Sequence, residues 1–342
     1  MIDIKERRYE QDIEHYMLNE NGYIKGDQKT YDRERAIDLP KLIDFIKTTQ
    51  PKQWQRYERN YGADSENKLY KRFQESVSTN GLVYVLRHGI EDRGAKIKFV
   101  AFKAETDLNQ KVIDDYNANI LECTRQFKYS TDNENSIDMV ISINGIPIVA
   151  IELKNQLTGQ DINNAKRQFM EDRDPKELCF NFDTRFLVYF AVDLYGIAMT
   201  TALKKEKTFF LPFNQGSNGA GNVGGAGNPP SKDGYVTEYL WKNILRKDVV
   251  LEILQRYIHV SKETKINPLT EQKETSKKII FPRYHQLDVV TKLISDVKER
   301  GAGHNYLIQH SAGSGKSNSI AWLAYGLANL HIKIMRRYLI QL

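Results

Sequence analysis

The chain has 342 residues, 40% hydrophobic and 27% charged, with Lys+Arg 50 against Asp+Glu 44 and a formal net charge of +6. That length and balance suit two domains, each able to bury a core, and exclude a disordered chain; the small basic excess permits an anionic partner without demanding one. Cys123 and Cys179 lie far apart with no neighbouring histidine, which excludes a disulfide framework or zinc site and marks core thiols in a reducing compartment.

The start, "MIDIKERRYE", is charged from Asp3 onward and has no apolar signal region. No later run approaches the ~18 apolar residues of a membrane span, so a cytoplasmic protein is expected. Two amphipathic helices follow: "PKLIDFIKTT", with Leu42, Phe45 and Ile46 on one face, and "SENKLYKRFQESV", with Leu69, Phe73 and Val77. Glu66 and Glu75 lie elsewhere on the second helix. β-Branched and aromatic residues bounded by glycine and charge predict strands at "GLVYVLRHG" and "KIKFVAFK".

The segments "SIDMVISI" and "IPIVAIELK" flank Asn144-Gly145, the strongest short-range hairpin signal. The second strand reads as buried on both faces yet ends in Glu152-Leu153-Lys154, where a charge costs several kcal/mol unless compensated. Asp138 on the first strand and Glu152 on the second form a carboxylate pair of the kind that binds Mg²⁺. Lys154, two residues on, shares the face of Glu152 and can orient water or stabilise a pentavalent phosphate. This is the chemistry of phosphodiester hydrolysis, although the same residues also fit a strand end whose charges emerge into solvent. A strict two-residue turn would pair Ile143 with Ile146 and set Asp138 opposite Ile151, sending Glu152 to the other face. The site therefore requires a bulge or a three-residue turn with Ser142 opposite Ile146. Glu66 or Glu75 can supply a third carboxylate; nothing chooses between them.

A helix, "QDINNAKRQFMEDR", carries Gln168, which can reach the metal site or the DNA backbone or simply face solvent. A further buried strand, "TRFLVYFAVD", completes a β-β-α-β order, the mark of an α/β domain. The Gly-rich stretch from Asn214 to Gly234 lacks a following Lys-Ser/Thr at a strand–helix junction and reads as a surface loop. "EYLWKNILRKDVVLEILQRYI" predicts two short helices broken near Lys247-Asp248. Residues 261–278 are charged and almost devoid of apolar side chains, which predicts a linker between a domain of residues 1–260 and one of residues 279–342.

After the linker, an apolar strand "NYLIQ" leads into "HSAGSGKSNSIAWLAYGLANL", where Gly313, Ser314, Gly315, Lys316 and Ser317 stand at a predicted strand–helix junction. Glycines let backbone N–H groups approach phosphate, Lys316 supplies a point charge and Ser317 can ligate Mg²⁺, so an ATP-binding phosphate loop is expected. Its usual first glycine is replaced by His310. Ile320, Leu323, Ala324 and Leu327 form the helix's expected apolar face, and Gln286 can read adenine through its amide. Only 25 residues follow Ser317, too few for a second acidic motif or motor lobe. The tail "HIKIMRRYLIQL" predicts a truncated or frame-shifted end, with ATP hydrolysis needing motifs found elsewhere.

From about Glu66 to about Leu330 the chain resembles the restriction (R) subunit of type I restriction–modification enzymes, through "SENKLYKRFQESV", "GLVYVLRHG", "SIDMVISINGIPIVAIELKN", "FLPFN", "GAGNP", "FPRYHQLDVV" and "HSAGSGKSNSIAWLA". The resemblance implies an α/β fold: a PD-(D/E)xK restriction-endonuclease-like domain followed by the start of a RecA-like, superfamily 2 motor lobe. Asp138 takes the place of the metal-binding aspartate, Glu152 and Lys154 fill the ExK positions, and Gln168 resembles the glutamine of a QxxxY element whose tyrosine is here Asp172. Gln286 and the loop around Lys316 resemble adenine-sensing and phosphate-binding motifs. The implied activity is Mg²⁺-dependent cleavage of double-stranded DNA after ATP-driven translocation, with methyltransferase and specificity subunits as partners. The rival readings are a non-catalytic module docking on the methyltransferase, and a superfamily 2 helicase fragment whose upstream domain only grips DNA.

Overall fold

The computed structural model describes residues 4–104, 109–156, 159–231, 234–266, 273–311, 313–328 and 330. Helix α1 (Ile4–Asn19) leads to a short strand β1 (Ile24–Lys25) and then to helices α2 (Leu39–Thr49), α3 (Pro51–Tyr61), α4 (Ser65–Asn80) and α5 (Leu82–His88). A small hairpin of β2 (Ile90–Asp92) and β3 (Ala95–Ile97) and helix α6 (Gln110–Asn117) precede the main strands. Asp38 caps α2, its side chain accepting from the Lys41 N–H at 3.2 Å, and the helix buries Leu42, Ile43, Phe45 and Ile46. Burying each such side chain contributes about 1.5–3 kcal/mol. α4 buries Leu69, Phe73 and Val77, the expected face.

Strands β4 (Leu121–Lys128), β5 (Ser136–Ile143), β6 (Ile146–Leu153), β7 (Val188–Val192), β8 (Ile197–Thr200) and β9 (Leu211–Pro212) join β1 in a seven-stranded sheet of order β1-β4-β5-β6-β7-β8-β9. β6 and β7 run parallel, connected through helix α7 (Ile162–Glu171), and β1 runs parallel to β4; the other pairs are antiparallel. Both faces of the sheet are covered. Met139, Ile151, Val188 and Phe190 enter a large core with α2, α4 and α5, whereas Val140, Ala150, Tyr189 and Ala191 enter a smaller one with Ala165 and Phe169 of α7. Cys123 and Cys179 are free, buried thiols.

The β5–β6 hairpin settles the register question. Asn144 (φ 49°) and Gly145 (φ 80°) both adopt left-handed backbone, so Ile143 pairs with Ile146 across a two-residue turn. The register then shifts: Ser142 pairs with Pro147 but Ile141 pairs with Val149, leaving Ile148 as an extra residue on β6. A bulge, not a longer turn, resets the strand. Gly145→Ala should cost about 2–4 kcal/mol in urea denaturation, because φ is positive and the new Cβ would lie 2.3 Å from the Asp38 carbonyl oxygen.

Three expected elements before residue 281 differ. "GLVYVLRHG" is helix α5, not a strand: Leu82, Val83, Val85 and Leu86 are buried at helical spacing. Its first turn is capped from a distance, Leu82 N–H donating to the Asp183 carbonyl (2.8 Å) and Val83 N–H to Asp183 Oδ1 (3.1 Å). In "KIKFVAFK" only the first residues are strand, ending at Ile97. Of the segment expected as a linker, the described residues form an antiparallel ribbon, β10 (His259–Ile266) against β11 (Lys273–Ile280), which pairs the backbone groups that face the partner strand while residues 261–264 and 275–278 stay exposed; residues 267–272 lie outside the described residues.

Between β9 and this ribbon, π-helical turns at Leu240–Ile244 and Ile253–Tyr257 flank helix α8 (Lys247–Glu252). Beyond the ribbon, helices α9 (Tyr284–Arg300) and α10 (Lys316–Ala328) pack together, Gly326 standing so near Ile294 that a Cβ would meet its Cδ1 at 2.5 Å. The buried face of α10 is Ser319, Trp322 and Gly326; Ile320 and Ala324 of the expected face are exposed. Trp322 donates to the Tyr257 carbonyl (2.9 Å), and Phe281 packs edge-on against Phe190, so this region adds to the large core. The expected strand "NYLIQ" is irregular: its backbone joins no sheet among the described residues and Leu307 is 96% exposed. The tail from His331 onward lies outside the described residues. No helix among them is long and apolar enough to cross a membrane.

Candidate active site

The bulge at Ile148 determines what meets at the far end of the hairpin. Val140 pairs with Ala150 and Met139 with Ile151, so the next step sets Asp138 opposite Glu152 on the α7 side of the sheet. Asp138 Oδ2 accepts the Leu153 N–H (2.8 Å) and lies 3.6 Å from Lys154 Nζ. Lys154 is itself fixed by its backbone N–H, which donates to Val192 of β7 (2.9 Å). All three side chains are buried, Glu152 completely.

Glu152 Oε1 accepts from Arg173 Nε (3.1 Å) and Nη2 (2.6 Å), while Oε2 is buried without a hydrogen-bond partner. Burial pushes its carboxyl well above the usual range and the Asp138 charge adds to this, against the opposing pull of Arg173. An orphaned carboxylate oxygen beside a second carboxylate is a donor set that fits a hard divalent cation. Among the described residues, no group of three or more His, Cys, Asp or Glu side chains is placed to hold a metal.

The third acidic group near Asp138 is neither of the two expected. Glu66 pairs with Lys47 and Glu75 with Arg72, both at the surface. Instead, α1 buries Glu10, whose carboxylate accepts from Arg125 Nε (3.1 Å) and Gln126 Nε2 (2.9 Å). Gln126 has the positive φ of 50° and its Nε2 also approaches Asp138 Oδ1 at 3.4 Å, linking the two acids. Burial, then the Asp138 charge, raises Glu10 to about 7, against lowering bonds from Arg125 and Gln126. Between roughly pH 4.5 and 7 the folded state keeps a proton that the unfolded chain releases, so Glu10 contributes less stability as pH rises through that window. Relative to the parent, Glu10→Gln should raise the urea midpoint more at pH 8 than at pH 5.

Gln168 is half-buried on α7, and its side chain makes no hydrogen bond to Asp138, Glu152 or Lys154. Asp172 ends the helix, and the Tyr129 hydroxyl reaches its carbonyl at 3.4 Å. The residues that sequence reasoning missed are Glu10, Gln126 and Arg173. One signal existed: Tyr9, Glu10, Ile13, Glu14 and Met17 form a single buried stripe on α1, so the two glutamates sit at apolar positions. Arg173, within the charged run "EDRDP", carried none.

At the glycine-rich loop, Lys316 Nζ donates to the carbonyls of His310 (3.1 Å) and Ser311 (3.0 Å), and Ser317 is exposed beside it. Gly313 and Gly315 have φ of 71° and 83°. Gln286 is buried, its Nε2 donating to the Gly315 carbonyl (2.8 Å) and its Oε1 accepting the Arg283 N–H (2.9 Å). His285 packs edge-on against His310, and its ring bonds the Ser314 carbonyl; burial lowers both imidazoles below their usual range.

The family model described as type I restriction enzyme R protein N terminus matches residues 3–208, more than half of the chain. Among curated proteins, the chain is 26% identical over 247 residues to a Methanocaldococcus jannaschii protein with the provisional name type I restriction enzyme MjaVIIIP endonuclease subunit. That alignment covers 65% of this chain and 20% of the relative, so the chain spans about a fifth of the relative's length.

Proposed function

The chain belongs to the type I restriction enzyme R protein N-terminal family, and from that premise we propose that it carries the endonuclease of a type I restriction system, hydrolysing DNA phosphodiester bonds at Asp138, Glu152 and Lys154. The observation that carries this reading is the bulge at Ile148, which brings Asp138 and Glu152 to one face with Lys154 Nζ 3.6 Å from Asp138. Asp138 and Glu152 Oε2 would hold Mg²⁺, which when bound supplies positive charge at the scissile phosphate and a lower pKa for the attacking water. Lys154 brings an ammonium to the phosphoryl oxygens, where negative charge builds as water attacks. Burial of all three side chains keeps this charge where water screens it little.

The loop Gly313–Ser317 is the proposed ATP site, with Lys316 exchanging its loop carbonyls for phosphate and Gln286 bracing Gly315. In the complete enzyme, cleavage of double-stranded DNA would follow ATP-driven translocation alongside methyltransferase and specificity subunits. The test is conversion of supercoiled plasmid to nicked circle by the purified chain with Mg²⁺ or Mn²⁺. Lys154→Ala should slow nicking by about a hundredfold. Nicking indifferent to this change, or binding of the methyltransferase with no nicking under any condition, would favour a docking module instead.

A further inference from the structure

Arg173 follows the end of α7 and is buried as completely as an apolar core residue. Every arm of its guanidinium is engaged. Nε and Nη2 converge on Glu152 Oε1, Nη2 also donates to the Ser136 carbonyl at 2.7 Å, and Nη1 donates to the Tyr129 hydroxyl at 2.9 Å. The guanidinium also lies over the Tyr129 ring, 5.1 Å from its centroid. A planar fork held at this many points cannot turn without breaking several bonds, so it dictates where Glu152 sits.

The unequal use of the two Glu152 oxygens is the informative feature. Oε1 takes both bonds from Arg173, and Oε2, equally buried, takes none. A buried acceptor left without a partner costs about 1–3 kcal/mol and calls for an explanation. Were Arg173 present only to neutralise Glu152, a fork across both oxygens would do so better.

We propose that Arg173 is a positioning residue of the nuclease site: by holding Glu152 through Oε1 alone, it reserves Oε2 for a divalent cation shared with Asp138. This rests on the nuclease reading above. It also gives Tyr129 a role, since its hydroxyl anchors the arm of Arg173 that points away from Glu152.

The experiment measures Mn²⁺ affinity by calorimetry, together with plasmid nicking, for the purified chain and its Arg173→Lys, Arg173→Ala, Tyr129→Phe and Asp138→Asn variants. Lysine keeps the charge but loses the fork, so Arg173→Lys should bind Mn²⁺ about 10–100-fold more weakly, in the range seen when residues supporting a metal ligand are changed. Tyr129→Phe should weaken binding in the same direction but less. Arg173→Ala should lose binding and recover part of it with methylguanidinium but not methylammonium, a rescue that a purely structural role would not produce. Parent-like Mn²⁺ affinity and nicking in both Arg173→Lys and Tyr129→Phe would overturn the proposal while leaving the nuclease intact, and this pair decides the matter if Arg173→Ala does not fold. A parent chain that neither binds Mn²⁺ nor nicks in an Asp138-dependent way would instead overturn the nuclease reading, and this proposal with it.

Discussion

Asp138→Asn should lower metal-dependent nicking by at least about a hundredfold while leaving the fold in place. The substitution is nearly isosteric, and the asparagine oxygen can still accept the Leu153 N–H that Asp138 Oδ2 accepts at 2.8 Å. What disappears is the negative charge, and with it one half of the carboxylate pair and the counter-charge 3.6 Å from Lys154 Nζ. Loss of that charge also relieves Glu152, whose carboxyl the Asp138 charge helps to push up. Two effects on folding oppose one another: Glu152 is relieved, while buried Lys154 loses its counter-charge. A cooperative urea transition that persists, combined with lost nicking, would separate chemistry from folding. Retained nicking would remove Asp138 from the site.

Arg185→Met should destabilise the protein by about 3 kcal/mol or more, without touching the carboxylate pair. Arg185 is fully buried, and its donors go to the carbonyls of Ala36, Arg35 and Thr184, each at 2.7 Å, and to Gln74 Oε1 at 3.0 Å. The guanidinium also lies over Phe73 of α4. Two effects compete. Methionine removes a buried cation, which is favourable, but it leaves three carbonyls without their donor at about 1–3 kcal/mol each. Because the side chain is closed off from solvent, water cannot readily replace the lost donors, and the second effect should win. Chemical denaturation of Arg185→Met and Arg185→Lys checks this. A change in Arg185→Met within about 0.5 kcal/mol, the size of an ordinary surface substitution, would show that the carbonyls find other partners.

The same buried arginines show where reading the chain reaches its limit. Glu152 and Lys154 stand out in the sequence because they interrupt an apolar strand, and charges in such a place need a partner. Arg173 and Arg185 sit in "EDRDP" and "DTRF", where charge is unremarkable, and only the folded chain shows that both are buried. Glu10 falls between: its helix carries a stripe that includes acids, but nothing local says that the stripe faces Asp138.

The sequence by itself determined the elements whose signals are local: the helices α2, α4 and α7, the apolar strands β5, β6 and β7, the Asn144-Gly145 turn and the glycine-rich loop before α10. Each is specified by periodicity, capping or turn chemistry within a few residues. Tertiary structure decided whatever depends on residues far away in the chain. α5 is a helix because Asp183, a hundred residues on, caps its first turn and because its stripe meets the core. The charged stretches His259–Ile266 and Lys273–Ile280 become a ribbon because each pairs the other's facing backbone groups. The bulge at Ile148 is the deciding case. The sequence required a departure from simple pairing if Asp138 and Glu152 were to share a face, but it left a bulge and a longer turn equally open. Packing chose the bulge, because Asn144, buried by its bonds to Ile120 and Phe99, and Gly145, pressed against Asp38, hold the two-residue turn in place. With the turn fixed, the extra residue had to be absorbed within the strand.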